Sequence, residues 1–506
     1  MNDLKAITSA FSNEEQSQFI SYLEKKNKRN DTKNIQLFKC LLKDEKDAQT
    51  ICKTIYGEEN KGAYHALRKR LYQSIIDFTA NQNLQEENSV SMQIIKYILA
   101  AKSFLQQKQH QVAYKVLDKA EDLALEHDLF SLLNDIYSTK IQYAHTNSHL
   151  DLNLLIEKFK TNQKHIFLED ELNIVYAKIR VTLNNIAYKG AILDFDTILR
   201  NTFKEHDISV NDAMSFKSLY QLVTIASISA FITKDYLKIE PFLIETYKSI
   251  LQHKNKGKQL YYHIQILYAI ANTLFRNKKF DESVHYLRLM HEQMQLSRKK
   301  HYNTFTLKYH LLLALNYNYT NQQDLAINTL LPFTIIKHSD TESLLDIQLS
   351  LITFYFQKND LKKAFQMFSK FYHTDAWYVE KAGKEWVIKK NLIDILLNIE
   401  LENIDLVESR LKSFKRQYVP YLKSIHQKRV ITYLGFIEAY YKNKEMVTSK
   451  IFHNKVENAF DWVETHREDI FVMSFYSWLK SKMFQTDLYE TTLNLIKQAQ
   501  KELNKN

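Results

Sequence analysis

The sequence predicts an all-α chain, and three observations carry that prediction. Only 6 of its 506 residues are Gly and 3 are Pro, against average usage of roughly 7% and 5%. Sheets need frequent turn residues, so helices joined by short polar loops are expected. The length exceeds the ~250–300 residues at which one ordinary core stops growing, which calls for several domains or a repeat array. Apolar positions also recur at i, i+3, i+4 and i+7 in segment after segment, the period of a half-buried helix.

The N-terminal segment, residues 1–85, reads as short helices. Ser12 to Glu15 forms a capping box after Phe11 and opens a helix to about Lys26. Helices follow near Lys33 to Leu42, Asp47 to Tyr56 and Ala63 to Asn81, with Gly57 and Gly62 marking the last break. Arg68, Lys69 and Arg70 fall on the last of these, after a short helix and a turn, in the shape of a helix-turn-helix recognition element. That run faintly resembles the DNA-contacting helix of some bacterial activators. Gln82 to Ser89 is polar and supplies no two-stranded wing, so the competing reading is a helical capping subdomain whose cations face water.

Residues 90–255 form divergent helical pairs. Tyr97, Ala100, Ala101 and Phe104 pair with Ala113, Leu117 and Ala120 across the turn Gln107 to Gln111. Ser131 to His253 reads as further hairpins. Tyr236, Ile239 and Leu243 carry the second helix of one of them, with Pro241 in its first turn, where a missing N–H costs little. Glu169, Asp170 and Glu171 look like a solvated turn or a helix start.

Residues 256–416 carry the clearest repeats. In Leu267 to Met294, apolar or small residues stand at Leu267, Ile270, Ala271 and Leu274, then at Ser283, Leu287 and Met290, about the polar turn Arg276 to Lys279. Phe280 is expected to precede the second helix and Asp281 to cap it. The order recurs at Leu313, Ala314, Tyr317, Ala326, Leu330 and Phe333, and again at Leu351, Ile352, Tyr355, Ala364, Phe368 and Phe371. A fourth unit has Ile395, Val407, Leu411 and Phe414. A small residue stands wherever two helices must cross closely. Residues 417–506 read as atypical capping helices, amphipathic over Arg429 to Tyr441, Val456 to His466 and Leu488 to Leu503.

This order of small, aromatic, Ala and aromatic positions resembles the tetratricopeptide repeat. Successive units are 43 residues apart (Ser283 to Ala326), then 38 (Ala326 to Ala364) and 43 (Ala364 to Val407), against a family period of about 34. Some bacterial helical-repeat proteins have a similar layout of short helices before the array. The resemblance implies a right-handed superhelical array, an α-solenoid, that presents a concave surface to a protein or peptide partner. It implies that the non-core positions of each first helix face that partner. Here these are Gln265, Tyr268, Asn272 and Arg276, then Lys308, Asn318 and Tyr319, then Asp346, Thr353 and Gln357. The family's carboxylate-clamping members have a Lys four residues before an Asn; Tyr268 holds that place before Asn272, so clamping of a terminal carboxylate is not expected.

Composition bears on the other function classes. A net charge of +11 spread over this length is modest, although clusters at Lys25 to Arg29, Arg298 to Lys300 and Lys412 to Arg429 permit nucleic-acid contact. No cofactor or metal is expected. No two Gly lie close enough to form a phosphate-cradling loop. His285 and His291 are six apart, off the i, i+4 ridge that a metal site on a helix uses. Two cysteines, Cys40 and Cys52, make no disulfide framework and read as buried apolar residues. The longest aliphatic run, Val223 to Ile232, is about half of a membrane span. The start of the chain lacks a signal-peptide pattern. The sequence therefore reads as a non-catalytic cytoplasmic scaffold for a protein or peptide. The alternative is a transcriptional regulator with N-terminal DNA-binding helices and a sensor array.

Overall fold

The computed structural model describes residues 13–26, 33–42, 48–86, 90–189, 215–233, 235–252, 259–299, 301–336, 338, 340–425, 427–459 and 468–503, together with Leu4, Ile7, Thr8, Phe11 and Lys204. Among them every regular element is helical and no strand occurs. No helix among them is long and apolar enough to cross a membrane. Contacts divide the chain into two compact units, Met1–Asn162 and Gln163–Asn506. Ser12 of the expected capping box lies outside the described residues, as do Lys28, Arg29, Lys300 and the end of the helix expected over Val456 to His466.

The first unit contains α1 (Asn13–Lys26), α2 (Lys33–Leu42), α3 (Ala48–Tyr56), α4 (Lys61–Glu86), α5 (Val90–Gln106), α6 (His110–Glu126), α7 (Phe130–Gln142) and the start of α8 (Leu152–Lys189). It has two apolar cores. One joins Phe19, Phe38, Leu71 and Phe78, and it takes in Cys40 and Cys52 as buried thiols that form no disulfide. The other packs Ile98, Ala101, Ala113, Leu117 and Ile136 from α5 to α7. Gly62, expected in the break before α4, lies in that helix's first turn. The start is fixed by Asn60, whose Oδ1 accepts the Ala63 N–H at 3.0 Å, while Gly57 makes the turn at φ +78°.

One expectation fails in α8. Within Ser131 to His253, expected to form hairpins, Leu152–Lys189 is one unbroken 38-residue helix, because neither Gly nor Pro is present there to break it. Glu169 is accordingly not in a solvated turn. It is buried in mid-helix and accepts a hydrogen bond from Ser215 Oγ at 2.8 Å.

The second unit continues with α9 (Phe216–Thr233), α10 (Glu240–Gln252), α11 (Leu260–Arg276), α12 (Phe280–Lys299), α13 (Tyr302–Tyr319), α14 (Gln323–Leu330), α15 (Thr341–Gln357), α16 (Leu361–Phe368), α17 (Asp375–Ala382), α18 (Lys384–Glu400) and α19 (Ile404–Ser424). It ends in α20 (Lys428–Lys442), α21 (Lys450–Ala459), α22 (Ile470–Phe484) and α23 (Leu488–Leu503). Pro241 stands at the second position of α10. Four helical hairpins follow one another, α11/α12, α13/α14, α15/α16 and α18/α19. Their first helices form a row in which α9 packs on α11, α11 on α13, α13 on α15 and α15 on α18. One continuous core runs from Leu172 to Ala499. The small residues the sequence places at crossings, Ala271, Ser283, Ala314, Ala326 and Ala364, are fully buried. At one crossing Ser283 Oγ donates to the Ala271 carbonyl at 2.8 Å, and Asn316 Nδ2 of α13 reaches the same hydroxyl at 3.1 Å. Backbones can approach that closely only over small side chains.

The hairpin turns explain how so many helices end with so little Gly. Lys108, Lys278, Asn359 and Glu402 each stand in a left-handed conformation, with φ of 58°, 59°, 60° and 58°. After each, an N–H reaches back five residues: Gln109 to Phe104, Lys279 to Leu274, Asp360 to Tyr355 and Asn403 to Asn398, at 2.8–3.0 Å. This is the Schellman closure, usually made with Gly. At α12 the closure makes Lys279 the half-in residue, since its carbonyl accepts the Ser283 N–H at 3.0 Å. Phe280 thus opens the helix, and Asp281 lies in its first turn and does not cap it.

Candidate functional site

The row of first helices turns one face toward α22 and α23, and a cavity of about 320 Å³ lies between them. Its floor comes from α11, α13, α15 and α18. Its roof is Phe471, Ser474, Phe475 and Trp478 of α22 with Leu488 of α23. The roof is held by side chains. Arg276 pairs with Asp469, and Lys278 Nζ donates to the Glu468 carbonyl. The Tyr319 hydroxyl meets Ser474 Oγ at 2.8 Å, and Trp478 Nε1 donates to Glu400 at 2.7 Å. From α23, the Tyr489 hydroxyl donates to the Asn318 carbonyl and Gln500 Nε2 to the Lys278 carbonyl, each at 2.7 Å. Asp469 also caps α22 by accepting the Phe471 N–H at 2.9 Å.

Of the positions expected on the partner-facing surface, Tyr268, Asn272, Arg276, Tyr319, Asp346, Thr353 and Gln357 line this cavity. Gln265 and Lys308 are half-buried and do not line it. Asn318 is interior, its Nδ2 donating to Gln357 Oε1 at 2.9 Å. Sequence reasoning missed Trp386, Lys389 and Glu385 of α18 and the whole roof. The signal for the roof was a 15-residue stretch, Ile470 to Phe484, rich in apolar residues but without a single apolar stripe.

Electrostatics in the cavity are uneven. Arg276 spends its charge on Asp469 and lies 4.9 Å from the centre of the Phe471 ring. Lys389 sits 5.2 Å from the same ring. Glu342, Asp346 and Glu385 remain on the walls. Burial pushes Asp346 up to about 6, with the Glu342 charge adding to it and Lys389 opposing. Burial also raises Tyr268 to about 12, and the neighbouring Asp346 charge adds to that rise. Burial lowers Lys278 to about 8. Among the described residues no ion pair or ordinary hydrogen bond closes on Asn272, Glu342, Asp346, Ser350 or Glu385. Trp386 Nε1 faces Asp346 without closing a bond, and the buried Gln357 Nε2 and Arg276 Nε are likewise unpaired.

The remaining candidates do not converge. Arg68 lies over the Tyr64 ring at 5.9 Å, while Lys69 and Arg70 are exposed on the same helix. His285 is exposed; His291 bonds Gln295 at 3.0 Å. Among the described residues no group of three or more His, Cys, Asp and Glu is placed to hold a metal. No family model, curated protein or solved structure matches the chain.

Proposed function

We propose that the second unit is a right-handed α-solenoid of tetratricopeptide-like hairpins, an intracellular scaffold that binds a protein or peptide on the concave face of its first helices and performs no catalysis. The observation that carries this reading is convergence. Polar and aromatic positions one repeat apart on α11, α13 and α15 meet in a single cavity: Asn272 and Arg276, Tyr319, and Thr353 and Gln357. A surface built only for solubility has no reason to gather polar and aromatic groups from three successive repeats around one cavity, whereas binding sites do. The row of first helices, the buried small residues at each crossing and the single continuous core also support an array whose units stack on their neighbours.

The test is site-specific photo-crosslinking in extract of the source organism. A benzophenone side chain at Thr353, in the cavity, is expected to give discrete adducts. The same group at Phe365, on α16 and 42% exposed, is expected to give none. Equal labelling from both positions, or none from Thr353, would contradict the proposal.

A further inference from the structure

The binding reading leaves the ligand's chemistry open, and the cavity walls narrow it. On α15 the inward stripe Asp346, Ser350, Thr353 and Gln357 recurs at i, i+4, i+7 and i+11, about 16 Å from end to end at 1.5 Å per residue. The two ends differ. At the Asp346 end the half-buried Asp346 faces the exposed Glu342 and the ammonium of Lys389, the exposed Glu385 also lies on the wall, and Tyr268 and Trp386 lie beside Asp346. The middle is apolar, with Leu312, Leu315 and Phe354. At the far end Gln357 is only 2% exposed, its Oε1 is taken by Asn318, and its Nε2 faces the Tyr319 hydroxyl without closing an ordinary hydrogen bond. A buried amide N–H left short of a full hydrogen bond favours a better acceptor.

We propose that the cavity binds a primary ammonium group carried on an extended apolar body, with Asp346 as its counter-ion, Tyr268 and Trp386 as its aromatic walls, and Gln357 donating to a carbonyl at the other end. A cation answers the half-buried Asp346 carboxylate, with Glu342 and Glu385 adding negative charge at the exposed edge of the wall, and aromatic faces attract it further. The lysine side chain of a peptide has this chemistry, and so has a free long-chain amine. This inference rests on the cavity being a binding site.

Calorimetric titration of the full chain separates the possibilities. The probes are an acetylated, amidated Leu-Lys-Leu peptide and n-octylamine, each set against a neutral counterpart, the same peptide acetylated on its lysine and n-octanol. Saturable binding of the lysine peptide or of octylamine, tighter than its neutral counterpart and weakened roughly 10- to 100-fold in Asp346→Asn, supports the proposal. The arm that binds identifies the source. Gln357→Leu should then weaken the peptide and spare octylamine. Far-UV circular dichroism confirms that each variant is folded, and Glu385→Gln provides a second removal of wall charge, with a smaller loss. Neutral probes binding as tightly as charged ones, or Asp346→Asn binding as wild type does, overturns the ammonium assignment while leaving a binding cavity. No saturable binding by any probe overturns the ammonium assignment, and crosslinking at Thr353 decides separately whether the cavity binds at all.

Discussion

Removing Asp469 should loosen the roof of the cavity, and the size of the effect can be worked out. Arg276 and Asp469 are 16% and 11% exposed in their side chains, so water cannot fully solvate whichever partner is left behind. Breaking a buried pair from one side costs about 3–5 kcal/mol, and the partial exposure places this one near 3. Asp469 also caps α22 through the Phe471 N–H, which is worth about 1 kcal/mol. Asp469→Ala should therefore cost about 4 kcal/mol. Arg276→Ala should cost about 3, since it strands Asp469 and removes the cation from the Phe471 and Tyr236 rings. The double variant should lose less than the sum, with a coupling of about 2 kcal/mol between residues in direct contact. The assay is urea unfolding of the full chain followed by far-UV circular dichroism, with limited proteolysis reporting release of the C-terminal helices. Single losses below about 1 kcal/mol, or losses that add within about 0.5 kcal/mol, would refute the pair as the tie between α22 and the hairpins.

Two other changes probe the hairpins themselves. Ala326→Glu puts a charge where the crossing leaves no exposed surface at all; thermal unfolding should show a loss above about 4 kcal/mol, and an unchanged melting curve would mean that α14 does not cross there. Lys108→Gly should stabilise the first unit by about 0.5–1 kcal/mol, because Lys108 is held at φ 58° without a side-chain hydrogen bond. A loss of stability in urea unfolding would contradict the left-handed turn.

Much of the helical pattern was legible because period and punctuation agreed. Lys33 to Leu42 and Leu488 to Leu503 are helices with the bounds their amphipathic patterns indicate. The small residues Ala271, Ser283, Ala326 and Ala364 are buried, as their offsets require. The floor of the site was legible for the same reason: once the first helix of each repeat is placed in register, Asn272, Arg276, Thr353 and Gln357 fall on one side of it. What stayed hidden followed from physics that periodicity does not encode. α22 lines the cavity on one side and packs on α23 on another, and its serines and lysines are scattered among its apolar residues, so no amphipathic stripe marks it. Trp386 and Lys389 lie in α18, whose buried positions run almost unbroken from Trp386 to Ile399 and so leave no stripe to read. The turn at Lys108 was visible only as the break from Gln107 to Gln111, since a residue other than Gly can be held left-handed when the closing hydrogen bonds fix it there.

If the cavity is a binding site, it keeps a carboxylate, Asp346, for a ligand and not for the fold. Asp346 is raised to about 6 in the folded chain, against an unfolded value of about 3.9. The protonated form is therefore the one the fold prefers. Asp346's contribution to stability should be greatest below about pH 4, decline as pH rises through about 6, and level off above about 7. The groups facing Asp346 are Asp340, Glu342, Trp386, Lys389 and Tyr268, and Asp346→Asn replaces none of them. Unfolding free energies of wild type and Asp346→Asn, compared between pH 4 and 8 without ligand, isolate its contribution. The variant should match wild type near pH 4 and exceed it by up to about 3 kcal/mol above pH 7, since each pH unit between the folded and unfolded values is worth about 1.36 kcal/mol. A difference that does not change with pH, or a variant less stable than wild type at pH 7, would mean that Asp346 serves the fold after all.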